Sequence, residues 1–127
     1  MNIANETSPG NGPLLDADQF QAACDGNADV MRELVDLYFM QAGDIMCKLE
    51  KAIQSAAAPE VTHLAHKLAG SSLALGMSAV VAPVRSLEHG AREGRLDGAK
   101  ELYAQAAVQL EALRQYMEGY ISRLPCA

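Results

Sequence analysis

Two histidines stand one helical turn apart in the run His63-Leu64-Ala65-His66-Lys67-Leu68-Ala69-Gly70-Ser71-Ser72-Leu73-Ala74-Leu75-Gly76. An imidazole is a nucleophile near neutral pH, because its unperturbed pKa is about 6.5. One ring nitrogen can attack phosphorus while the other keeps a proton for an acceptor to steady. Placed on a wheel of roughly 100° per residue, Val61, Leu64, Ala65, Leu68, Ser72 and Leu75 fall in one apolar sector. His66 lies roughly 140° from the centre of that sector and Gly70 roughly 180° from it. The spacing therefore predicts an exposed His66, with its neighbour one turn on reduced to a glycine. Mid-helix glycine costs about 1 kcal/mol relative to alanine. An absent side chain at i+4 leaves room beside the ring for a partner to approach.

The elements that must hold this face can be read from spacing and punctuation. Residues 1–13 are rich in Asn, Ser, Gly and Pro and read as a flexible tail. A short helix is expected over 16–24, with Asp16 as N-cap and Gly26 ending it. A long helix follows over 28–57. Its stripe is Met31, Leu34, Val35, Tyr38, Ala42, Ile45, Leu49, Ala52, Ile53 and Ala56, with Gly43 as a point for a bend. Pro59 suits the first residue of the next helix, which runs to residue 75 and stops at Gly76. A fourth helix is expected over 78–93 on Val80, Val84, Leu87 and Ala91, kinked or started late by Pro83. Asp97 is the expected cap of a last helix reaching residue 123, with Leu102, Ala106, Leu110, Leu113, Met117, Tyr120 and Leu124 inward. No segment alternates as a half-buried strand does. The expectation is an all-α, antiparallel up-down four-helix bundle over 14–127 with a short extra N-terminal helix.

Composition limits the function classes. The chain has 127 residues, half of them hydrophobic, and a formal net charge of −6. A nucleic-acid partner would need concentrated Lys and Arg, so none is expected. No apolar run approaches the roughly 20 residues that span a bilayer, and the start lacks a signal-peptide pattern. Cys24, Cys47 and Cys126 are scattered, which suits reduced thiols in a cytoplasmic chain better than a disulfide framework. Met1 and the polar start favour a stand-alone protein, expected to be a monomer.

His66, Gly70, Ser71, Ser72 and Gly76, followed by Leu87-Glu88 and Gly94, resemble the histidine phosphotransfer domain of multistep two-component phosphorelays. The resemblance spans about residues 14–124. It implies that His66 carries the phosphoryl group, with Lys67, Gly70 and Ser71 around it. It also implies a partner: the aspartate-bearing receiver domain of a response regulator or hybrid sensor histidine kinase, which would bring Mg²⁺ and the catalytic residues. The family commonly has Lys three residues after the phosphorylated histidine, where this chain has Ala69. The long stem of Lys67, or Arg85 or Lys48 from a neighbouring helix, could supply that charge. No cofactor is expected on the chain itself. It has no Gly-x-x-x-x-Gly-Lys-Ser/Thr loop and no kinase-like glycine loop, so it reads as a phosphoryl carrier and not as an enzyme.

Candidate docking contacts are Leu73, on the His66 side of its helix, and Met40 and Cys47, opposite the core stripe of theirs. Leu15 and Phe20 join them if the short first helix lies nearby. One rival reading is a metal site at His63 and His66, which lacks a third ligand. Another is a helical interaction module that binds a receiver or kinase domain and transfers nothing. Acid-labile label on His66 separates that reading from phosphotransfer.

Overall fold

The structure, a computed structural model, describes residues 13–125. Five helices and no strand are present among these residues: α1 (Ala17–Ala23), α2 (Ala28–Gln54), α3 (Ala58–Leu75), α4 (Ser78–Arg92) and α5 (Ala99–Ser122). The tail expected over 1–13 lies outside the described residues except for Pro13, as does Cys126.

The core follows the stripes. Val61, Leu64, Ala65, Leu68, Ser72 and Leu75 of α3 are all buried, together with Met31, Val35, Tyr38, Ala42, Ile45 and Leu49 of α2. Val80, Val84, Leu87 and Ala91 of α4 and Ala106, Leu113 and Met117 of α5 close the same cluster. One polar tie crosses it. The Ser72 hydroxyl donates its single proton to the Leu68 carbonyl at 2.8 Å. The Tyr38 hydroxyl, 2.7 Å away, must therefore be the donor to Ser72. This bond joins α2 to α3 in the buried layer. It is worth about 1 kcal/mol.

Capping explains most of the boundaries. Asp16 accepts from the Gln19 backbone N–H at 3.1 Å and starts α1, as its position in the sequence suggests. Asn27 does the same for α2 through Val30. Pro59 occupies the first turn of α3, where its missing N–H is harmless. Three boundary details are refined. Helix α2 runs through Gly43 without interruption, because the residues on either side of it keep the core stripe in phase. Helix α4 starts at Ser78, ahead of Pro83, which removes only the bond that its N–H would have given to residue 79. Gly98, and not Asp97, occupies the N-cap position of α5, in a left-handed conformation with φ of 78°.

The second glycine of the histidine run has a structural task. Gly76 ends α3 with φ of 77°. A Cβ there would lie 2.6 Å from the Asp16 carbonyl oxygen and 3.0 Å from the Phe20 nitrogen. The bare backbone lets α1 cross the end of α3, where the Asp16 N–H donates to the Gly76 carbonyl at 2.8 Å and the Gln19 amide to the Ala74 carbonyl at 2.8 Å. The Phe20 ring is thereby driven fully inside, edge-on to Tyr120 with centroids 5.4 Å apart. Leu15 is buried with it. Neither side chain can serve as the surface contact expected of it, because both pack into the seam between α1 and the bundle.

Candidate functional site

His66 sits midway along α3 with its side chain 65 % exposed, as the wheel requires. Burial of the apolar sector on the far side of the helix fixes the direction in which the ring projects. Gly70 is exposed on the same face, and a Cβ added to it would meet nothing within 4 Å. The space beside the ring is therefore real: no neighbouring element of the described fold fills it.

The ring is held from α4. His66 Nδ1 lies 2.8 Å from Glu88 Oε2. Glu88 itself is only 1 % exposed, an unusual position for a carboxylate unless it is paired. Three partners account for it. Arg92 Nη2 donates to the same Oε2 at 2.5 Å, and Arg85 Nη1 stands 3.5 Å from Oε1. Burial pushes the Glu88 carboxyl up, but the His66 hydrogen bond and the His66, Arg92 and Arg85 charges outweigh it and hold it below its ordinary value. The group is therefore an anion at neutral pH. An anionic acceptor at Nδ1 favours the tautomer that carries its proton there, which leaves the lone pair on Nε2. Among the described residues no hydrogen-bond partner stands at Nε2.

Glu88, quoted above as part of the family resemblance, has a role at the site that the resemblance did not assign. It lies four residues after Val84, one after Leu87 and three before Ala91, within the inward stripe of α4. An acidic residue on an apolar stripe, with arginines at i−3 and i+4, signals a buried carboxylate that has brought its counter-charges along.

The other expected site residues divide around His66. Lys67 is exposed but points roughly 100° away around the helix, so it does not share the ring's side. Ser71 turns toward α2, where it lines an open apolar groove with Leu34, Leu37, Gln41 and Ala74. Lys48 is engaged with Asp44 at 3.1 Å. Ala69 is completely buried against the neighbouring helices. Leu73, Met40 and Cys47 are exposed, as expected of docking contacts. Leu37 is a further exposed apolar side chain, in the groove that Ser71 lines. Among the described residues no group of three or more His, Cys, Asp or Glu side chains could hold a metal ion, so His63 and His66 find no third ligand. No described helix is long and apolar enough to cross a membrane.

Comparison with known proteins agrees with this geometry. The family model of the Hpt domain matches residues 33–118, most of the chain and all of the His66 environment. The solved structure of histidine-containing phosphotransfer protein B (HptB) from Pseudomonas aeruginosa PAO1 is similar with a TM-score of 0.83. That match covers 89 % of this chain and 98 % of that one at 24 % sequence identity, a likeness of fold. No curated protein matches. The match of the family model over α3 and α4, which carry the exposed histidine and its carboxylate, establishes that the chain belongs to the Hpt domain family, the histidine phosphotransfer modules of phosphorelays.

Proposed function

We propose that His66 accepts a phosphoryl group from the aspartate of a receiver domain and passes it to, or back from, the receiver domain of a response regulator. The observation that carries this reading is the 2.8 Å contact of His66 Nδ1 with buried Glu88 on an otherwise exposed ring. The Nε2 lone pair attacks phosphorus in line with the departing aspartyl oxygen, which leaves with its electron pair. The N–P bond forms as the O–P bond breaks. The proton on Nδ1 stays where it is, so the ring becomes cationic and Glu88 faces that charge. This is the role a buried carboxylate plays behind a catalytic imidazole in hydrolases.

The chain contributes no nucleotide-binding loop, so the phosphoryl donor in this reading is another protein. Mg²⁺ belongs to the receiver partner, where it offsets charge on the transferring group. The open space over Gly70 admits the receiver's active site, and the exposed side chains of Leu73, Met40, Cys47 and Leu37 are apolar surface for the rest of the partner. The test is covalent. The chain is mixed with a phosphorylated receiver domain and Mg²⁺, and the products are separated by acid treatment. Acid-labile label on the wild type that is missing from His66→Gln supports the proposal. Tight binding of receivers with no label on either chain would favour a module that binds without transferring.

A further inference from the structure

The two arginines that hold Glu88 are not equivalent. Arg92 is bound at 2.5 Å to Oε2, the oxygen that also takes His66 Nδ1. Arg85 stands 3.5 Å from Oε1, longer than a good N–H···O bond, so charge more than hydrogen bonding holds it. Both side chains reach solvent, Arg85 at 40 % exposure and Arg92 at 58 %. A guanidinium carries five N–H donors, and each of these commits one to Glu88.

Register separates them further. The His66–Glu88 contact fixes the alignment of antiparallel α3 and α4. Three residues back along α4 corresponds to three residues forward along α3, which brings Arg85 level with Ala69. Arg92 is level with Thr62, one turn the other way. Gly70, with its open space, follows Ala69 directly. Along the helix axis Arg85 thus lies on the Gly70 side of the His66–Glu88 contact, and Arg92 on the opposite side. The alternatives are worse placed: Lys67 points away from α4, and Lys48 is paired with Asp44.

We infer that Arg85 is the phosphoryl-contact residue: when His66 is phosphorylated, its guanidinium moves from Glu88 to donate to a phosphoryl oxygen, while Arg92 stays on Glu88 as a positioning residue. The inference rests on the phosphotransfer reading. It adds no proton or electron to the transfer step; Arg85 only exchanges one anionic acceptor for another. The exchange is downhill because the phosphoryl group brings a charge of about −1.5 to −2 and three strong acceptor oxygens, whereas Glu88 keeps Arg92 and His66.

The test uses the full chain and phosphoramidate, a small donor that phosphorylates imidazoles without a protein partner. The phosphohistidine is followed by ³¹P NMR through a pH titration. A cation in contact with the group favours its dianion and lowers its affinity for a proton. Arg85→Gln should therefore raise that affinity roughly threefold, the worth of a partly solvated charge-assisted contact. Arg85→Lys should recover part of the effect, because charge survives while the fork is lost. Arg92→Gln should leave the titration nearly unchanged and instead alter the His66 tautomer seen by ¹⁵N NMR. Thermal melts check that each variant is folded. A titration unmoved by both Arg85 variants, or moved only by Arg92→Gln, overturns the assignment. A signal that persists in His66→Gln, or no signal at all, overturns the phosphotransfer reading and this inference with it.

Discussion

Replacing Glu88 by glutamine removes a charge and little else. Glutamine has the same shape and can still accept from Nδ1, so the ring keeps its orientation. What disappears is the anion that faces the ring as it becomes cationic. A hydrogen bond to a charged group is worth about 1.5–3 kcal/mol against about 1 for a neutral one. The difference of about 0.5–2 kcal/mol corresponds to transfer slower by a factor of about two to thirty. The low end applies here, because His66 is 65 % exposed and water screens the pair. Glu88→Ala also removes the acceptor and frees the tautomer, so transfer should fall by a further factor of about three to ten. Its cost in stability should stay near 1–2 kcal/mol, below the 3–5 typical of breaking a fully buried pair, because Arg85, Arg92 and His66 can all rehydrate. The assay is quench-flow transfer from a phosphorylated receiver with Mg²⁺ at saturating receiver concentration, with urea melts on the same preparations. Wild-type rates in both variants would refute the argument that Glu88 activates the ring.

One change of condition and three substitutions probe the rest of the site. Folding lowers the Glu88 carboxyl below its ordinary value of 4.5, so the stability it adds is complete above that pH and is lost as pH falls through the folded value; the gap in urea-melt stability between wild type and Glu88→Gln should narrow in acid, and a constant gap would contradict the pairing. Gly70→Ala should stabilise the chain by about 0.5–1 kcal/mol, because nothing stands within 4 Å of the new methyl, while Gly70→Leu should slow transfer by crowding the ring; stopped transfer assays and thermal melts give both numbers. Gly76→Ala combines a left-handed backbone with a methyl 2.6 Å from the Asp16 carbonyl oxygen. It should cost more than about 2 kcal/mol and expose Phe20, seen as a loss of hydrogen-exchange protection over α1.

What could be read from the chain and what could not follows from the range of the forces involved. The stripe of α3 depends only on residues within the helix, so the spacing of Val61, Leu64, Leu68, Ser72 and Leu75 was enough to turn His66 outward and Gly70 beside it. Glu88 depends on a neighbour 22 residues away in the chain. Charge normally marks a solvated face, and only its place between Val84 and Ala91, with Arg85 and Arg92 at i−3 and i+4, points otherwise. The docking role expected of Leu15 and Phe20 failed for a related reason. Helix α1 is too short for a convincing stripe, and its seat depends on the missing Cβ of Gly76, a contact made across the fold. Asp97 is a good cap by residue type, yet the αL glycine next to it takes the position because the chain must reverse there between α4 and α5.

The central claim is that a phosphoryl group resides on Nε2 of His66 with Nδ1 still held by Glu88. Long-range ¹H–¹⁵N correlation on ¹⁵N-labelled chain, recorded before and after phosphorylation by a Mg²⁺-loaded receiver domain, tests it directly. The account predicts phosphorus coupling at Nε2, a proton retained on Nδ1, and loss of both signals in His66→Gln. Phosphorus coupled to Nδ1, or found on any residue other than His66, would contradict it.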